Sequence, residues 1–118
     1  MSDTVLVIGA GDATGAAIVE KFAAEGLTVI AARRPVNADK LSALAAKSAG
    51  HVIAMPVDAR DEDSVIALFE HIESEVGPLA CVIFNIGANF YFPIEAPKSR
   101  VYRKVWEMGA YAGFLVGR

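Results

Sequence analysis

Four short runs, 4–8, 27–32, 52–57 and 79–85, are apolar nearly throughout and rich in β-branched residues. A strand with one face on a core alternates apolar and polar side chains, so a run without alternation needs cover on both faces. Between these runs the period becomes that of a helix. Ile18 and Phe22 stand four apart. Leu41, Leu44, Ala45 and Ser48 follow Asn37, which suits an N-cap. Val65, Leu68, Phe69, Ile72 and Val76 make a full amphipathic stripe. Asp61, Glu62 and Asp63 put negative charge at the start of that third helix, and Gly77-Pro78 ends it. A β-α-β-α-β-α-β order leads to a parallel sheet with right-handed crossovers and helices on both faces.

The 118 residues suffice for one domain, and 54% hydrophobic against 21% charged residues excludes a disordered chain. A net charge of -3, with only the local basic pair Arg33-Arg34, argues against a nucleic-acid partner. The single cysteine, Cys81, lies in an apolar run and points to a reducing, cytoplasmic setting. Ser2 and Asp3 precede the first strand without a basic stretch or cleavage site, so no signal peptide is expected. The longest apolar stretch, 78–92, is broken by Asn85 and Asn89, and no membrane span is expected. His51 starts a strand without a metal-spaced partner, and His71 falls on the polar side of the third helix. No metal site is expected, and there is no G-x-S-x-G nucleophile.

The segment 99–118 reads as one more helix, apolar on two sides. Val101, Val105, Met108, Ala112 and Leu115 form one side, and Tyr102, Trp106, Gly109 and Gly113 the other. Such a helix needs two partners, the sheet and something else. Gly109, Gly113 and Gly117 suit either close approach of a second helix or packing on a crowded sheet.

The stretch VLVIGAGDATGAAI turns the first strand into the first helix. A strand that turns sharply into a helix aims backbone N–H groups and the positive helix end at one point, where a pyrophosphate is received. After Gly9 and Gly11 the usual G-x-G-x-x-G would require a glycine at position 14, but Thr14 is there and Gly15 follows. A phosphate loop and a plain tight turn both fit this stretch alone.

The longer spacing G-x-x-x-G-x-G fits Gly9 and Gly15, with Ala13 in the middle glycine's place and Gly11 extra. With Ala32-Arg33, Val57-Asp58-Ala59 and Asn85-Ile86-Gly87-Ala88, which is similar to an N-N-A-G stretch, the chain resembles the N-terminal half of the short-chain dehydrogenase/reductase family. The resemblance runs over essentially the whole chain. It implies a single NAD(P)-binding domain over 1–118, a Rossmann-like doubly wound sheet of about four strands in the order 3-2-1-4. It also implies a cofactor set of Gly9, Gly11, Ala13, Thr14, Gly15, Arg33, Arg34, Asp58, Ala59, Asn85 and Gly87.

An acidic residue after the second strand would accept the ribose hydroxyls and select NAD. Ala32 stands there instead, followed by Arg33 and Arg34, whose guanidinium forks suit a phosphate. NADP is therefore expected over NAD, with Arg33 the 2′-phosphate ligand; the other reading is an arginine pair on a solvated turn. By the resemblance Asp58 takes the adenine amino group, and its rival role is turn-making beside Ala59-Arg60. Asn85 lies under the cofactor by the resemblance, with a structural bridge between strands as its rival. Asp12 is expected to cap the following helix or face solvent. Asn89, Phe90, Tyr91 and Phe92 either line the pocket entrance or pack in the core.

The family's chemistry uses a Tyr-x-x-x-Lys pair, a Ser and often an Asn. Tyr91 is followed four residues on by Glu95, Tyr102 by Trp106 and Tyr111 by Leu115, and the Asn aligns near Ala110. No catalytic residue is assigned; Ser, Tyr and Lys are expected beyond Arg118. The fourth strand is then an apolar edge, and 99–118 lacks neighbours, so a homo-oligomer through that helix is expected. The resemblance implies an NADP-dependent oxidoreductase acting on a small carbonyl or alcohol, this chain supplying the cofactor half and inactive alone. A non-catalytic nucleotide sensor and an interaction module are the alternatives.

Overall fold

In the computed structural model, which describes residues 3–47, 51–87, 91, 93–96 and 98–118, the four apolar runs become four parallel strands. They are β1 (Thr4–Ile8), β2 (Thr28–Arg33), β3 (His51–Pro56) and β4 (Leu79–Phe84), in the order β3-β2-β1-β4. This is the expected 3-2-1-4 sheet. Ile8 pairs with Ala32 and with Phe84, so the carboxyl ends of the strands, and the loops that follow them, collect along one rim.

The helices α1 (Thr14–Ala24), α2 (Ala38–Lys47) and α3 (Glu62–Glu75) fill the crossovers, and α4 (Ser99–Trp106) and α5 (Ala112–Gly117) come last. Alternation along β1 and β2 divides the core in two. Val5, Val7, Val29 and Ala31 pack with Val19, Ala23, Leu41 and Leu44 of α1 and α2. Leu6, Ile8, Ile30 and Ala32 pack with Val65, Leu68, Ile72, Ala112, Leu115 and Val116 of α3 and α5. Each large side chain so buried contributes roughly 1.5–3 kcal/mol. Cover on both faces explains why β1 and β2 carry no polar alternation.

The outer strands differ from the expectation of full burial. β3 is half-buried, and Ala80, Cys81 and Val82 of β4 are exposed. Each outer strand has a neighbour on one side only, and Pro56 is tolerated at the end of β3 for that reason. Asn37 does not open α2 as a cap; it ends a 3-10 turn, Pro35–Asn37, that runs straight into the helix. Pro35 takes that turn's first position, where its missing N–H and fixed φ cost nothing. Asp61 does cap α3, its side chain accepting from the backbone N–H of Asp63 and Ser64. Gly77, at φ 138°, closes that helix by donating its N–H to the Ile72 carbonyl at 2.8 Å.

The segment 99–118 is helical but not uniform. A π-turn, Glu107–Tyr111, interrupts it, and Trp106 stacks on Tyr111 across that turn at 5.6 Å between ring centroids. Ala112 and Leu115 are buried on the sheet while Tyr102, Trp106 and Phe114 remain exposed. Ser2, Ser48, Ala88, Asn89, Phe90 and Phe92 lie outside the described residues. Tyr91 is 96% exposed, so core packing is not its role. Among the described residues no helix is long and apolar enough to cross a membrane.

Candidate functional site

The turn after β1 is built by backbone contacts that only glycine permits at two positions. Gly9 takes φ 90°, and the N–H groups of Gly9 and Ala10 both donate to the Ala32 carbonyl, at 2.9 and 3.1 Å. A Cβ on Gly9 would stand 2.1 Å from the Asn85 carbonyl oxygen. A Cβ on Gly15 would stand 2.2 Å from the Gly9 carbonyl oxygen. Gly15 is thus in register because the loop folds back on its own start. Gly11 is under no such constraint, since the nearest atom to its Cβ would be 3.9 Å away.

Ala13, in place of the middle glycine, precedes α1 at φ -118°, outside the positive-φ region that favours glycine. Ala16 donates its N–H to the Gly11 carbonyl and Ala17 to that of Ala13. The N–H groups of Thr14 and Gly15 have no acceptor among the described residues. These donors, at the positive end of an 11-residue helix, match an anion in charge and direction.

Above the carboxyl rim lies a cavity of about 240 Å³. Of the sequence-derived set, Gly9, Gly11, Arg33, Arg34, Asp58, Ala59, Asn85 and Gly87 line it. Ala13, Thr14 and Gly15 do not; they lie at the start of α1, with Gly15 buried beneath the loop. Asn85 anchors the rim: its backbone N–H donates to the Ile8 carbonyl at 2.8 Å and its side-chain amide to the Gly9 carbonyl at 3.2 Å. The strand-bridging role is therefore realised.

Asp58 is held by Arg60. Oδ1 accepts from the Arg60 backbone N–H at 3.0 Å and from Nε at 3.1 Å, and Oδ2 accepts from Nη2 at 3.3 Å. This guanidinium holds the Asp58 carboxyl below its ordinary range, against the opposing effect of partial burial. Asp58 also holds the Arg60 pKa above its usual value. Turn-making is thus real, and it leaves the outer side of Oδ2 with accepting capacity.

Asp12 does not cap α1, whose N-cap Ala13 receives no side-chain bond. It is exposed, as expected, and its Oδ1 accepts from Arg33 Nη1 at 3.0 Å while Lys40 Nζ stands 3.6 Å from Oδ2. The Arg33 hydrogen bond and then the Lys40 charge hold its pKa below the usual carboxylate value. Arg60, Asn37, Met108 and Ala112, together with the apolar Ile8, Val57 and Ile86, complete the cavity wall and were not among the expected site residues. Arg60 had a signal in its position two residues after Asp58. Met108 and Ala112 had theirs in the helical spacing that puts them on one apolar side of 99–118.

Glycine turn, free helix-end amides and a rim cavity at the carboxyl ends of a parallel sheet are the features of a dinucleotide-binding α/β domain. The family model described as short chain dehydrogenase matches residues 3–116, and the chain belongs to that family of NAD(P)-binding oxidoreductases. A short-chain dehydrogenase from Rhodopseudomonas palustris is similar in structure, with 51% identity and TM-score 0.88 over 98% of this chain and 54% of that one. A cis-4-hydroxycyclohexanecarboxylate dehydrogenase from Sinomonas cyclohexanicum is 31% identical over 96% of this chain and 46% of its own length. A fatty acyl-CoA reductase from Mycobacterium tuberculosis is 29% identical over 81% of this chain and 33% of its own. The chain spans about half the length of the solved relative and less than half of these two curated ones.

Proposed function

We propose that the chain binds NADP and forms the cofactor half of a cytoplasmic oxidoreductase acting on a small carbonyl or alcohol. The observation that carries this reading is the rim cavity, where the glycine turn, Arg33 and Arg34 face one space and no carboxylate follows Ala32. The glycine turn at Gly9 and Gly11, backed by the positive end of α1, receives the pyrophosphate. Arg33 and Arg34 receive the 2′-phosphate, with the planar fork that phosphate oxygens match. Asp58, aimed by Arg60, accepts from the adenine amino group through Oδ2. When bound, the nicotinamide supplies or takes the hydride.

No Tyr-x-x-x-Lys occurs in the sequence, so the 118 residues bind the cofactor without turning substrate over. Fluorescence titration with NADPH and NADH tests the reading. Tighter NADPH binding, by roughly tenfold for one added charge-assisted contact, supports it. Equal or tighter NADH binding overturns it.

A further inference from the structure

Arg33 and Gly11 stand on the wall between two spaces. One is the rim cavity; the other is a cleft lined by Ala10, Asp12, Lys40 and Lys47 at the junction of α1 and α2. Asp12 grips Arg33 from that second side, and the Arg33 side chain is only 15% exposed while that of Asp12 is 66% exposed. The guanidinium therefore holds its place in the wall, and the carboxylate is the freer partner.

We propose that Asp12 is a specificity-determining residue that sets how strongly the site prefers a 2′-phosphate, by occupying and neutralising Arg33. The inference rests on the NADP reading above. Arg33 has five N–H donors in one plane, and one of them goes to Asp12. An incoming phosphate has two routes, and Asp12 opposes both. If the phosphate takes the Nη1 edge, the carboxylate must leave its 3.0 Å hydrogen bond. If it takes another edge, two anions lie one guanidinium apart and repel. Lys40, 3.6 Å from Asp12, adds a second cation whose charge Asp12 also offsets. Arg33, Lys40 and Asp12 together carry +1, and removing the carboxylate's charge makes this +2. Because Asp12 sits inside the glycine turn, a sequence with an arginine after its second strand carries its own competitor for that arginine.

The test compares 2′,5′-ADP with 5′-AMP, which differ only in the 2′-phosphate, by calorimetric titration of the protein and its Asp12→Asn variant. The ratio of the two Kd values is expected to rise about three- to tenfold in D12N, with 5′-AMP affinity nearly unchanged. In an Arg33→Ala background, D12N is expected to change the ratio by less than about twofold. A gain that persists without Arg33 overturns the inference, since it would report general charge instead of this contact. A ratio unchanged or lowered by D12N also overturns it, a lowered one assigning Asp12 to positioning Arg33. If neither protein prefers 2′,5′-ADP, the NADP reading falls as well; if the wild type prefers it and D12N does not alter the ratio, the inference alone falls. Unfolding midpoints of all variants verify that each is folded.

Discussion

The side-chain amide of Asn85 donates to the carbonyl of Gly9 across 76 positions of sequence, at 3.2 Å, and locks the glycine turn to the end of β4. The same two residues meet through their backbones, because a Cβ on Gly9 would strike the Asn85 carbonyl. Asn85 thus shapes the loop before any ligand arrives. Asn85→Ala is expected to lower stability without cofactor by about 1 kcal/mol, the net worth of one partly buried hydrogen bond. In a chain of this size that lowers Tm by roughly 4 °C. An unchanged Tm in thermal unfolding without cofactor would assign Asn85 to ligand contact alone.

The four positions of the glycine turn separate by what a methyl group would meet. Gly9→Ala and Gly15→Ala each force a Cβ against backbone at 2.1 or 2.2 Å, and each is expected to cost more than about 3 kcal/mol. Gly11→Ala is expected to stay within about 0.5 kcal/mol of wild type, since its Cβ would meet nothing closer than 3.9 Å. Ala13→Gly is expected to leave NADPH affinity within about twofold, because φ -118° needs no glycine. Urea midpoints and calorimetry measure the series. A Gly11→Ala variant as unstable as Gly9→Ala would show that the loop is constrained by something other than these contacts.

The alternation of periods made the fold legible: runs with no polar face required two-sided cover, and that requirement alone leads to a doubly wound sheet. Strand ends came out within one residue, Leu79–Phe84 against an expected 79–85, since glycine and proline punctuate them. The site was legible where local backbone chemistry dictates it, at Gly9 and Gly15. It was not legible where tertiary partners decide. Local reading allowed Asp12 a helix cap or a solvent-facing place, and the second holds. Its pairing with Arg33 comes from a contact 21 positions away that no local pattern shows. Asn37 was misjudged because Asx residues before helices usually cap, with Pro35 starting the turn earlier. The π-turn at Glu107–Tyr111 has no counterpart in a 3.6-residue pattern, although that pattern already grouped Met108 with Ala112.

The Asp58–Arg60 pair gives the protein an acid limit with a definite sign. Asp58 has its folded pKa lowered, so its contribution to stability is present above the unfolded value near 3.9 and is lost as pH falls through the folded value. Arg60 remains charged across that window, its own pKa being raised. Since the Asp58 side chain is 35% exposed, water screens the pair and the contribution stays under about 1 kcal/mol. Arg60→Ala is expected to narrow the Tm difference between pH 6 and pH 3, and Asp12, also held low by its partners, adds to the acid loss in the same direction. Thermal scans of wild type, Arg60→Ala and Asp12→Asn across that range separate the two carboxylates. A pH dependence identical in all three would remove both pairs from the account.

Tyr102, Trp106 and Phe114 are 71, 50 and 58% exposed along 99–118, beside Ile94 at 91%. Arg118 partly covers Phe114, its guanidinium 5.4 Å from the ring centroid while also paired with Glu62. Among the described residues nothing comparable covers Tyr102, and Trp106 stacks on no described ring but Tyr111. Burying such aromatics between copies removes apolar surface from water and favours self-association. The protein is therefore expected to be oligomeric by light scattering, and Trp106→Glu to shift it at least one step toward monomer. Val82→Lys, on the exposed side of β4, serves as the contrast: if it dissociates the oligomer and Trp106→Glu does not, the sheet edge is the contact. A monodisperse wild-type monomer would end both versions.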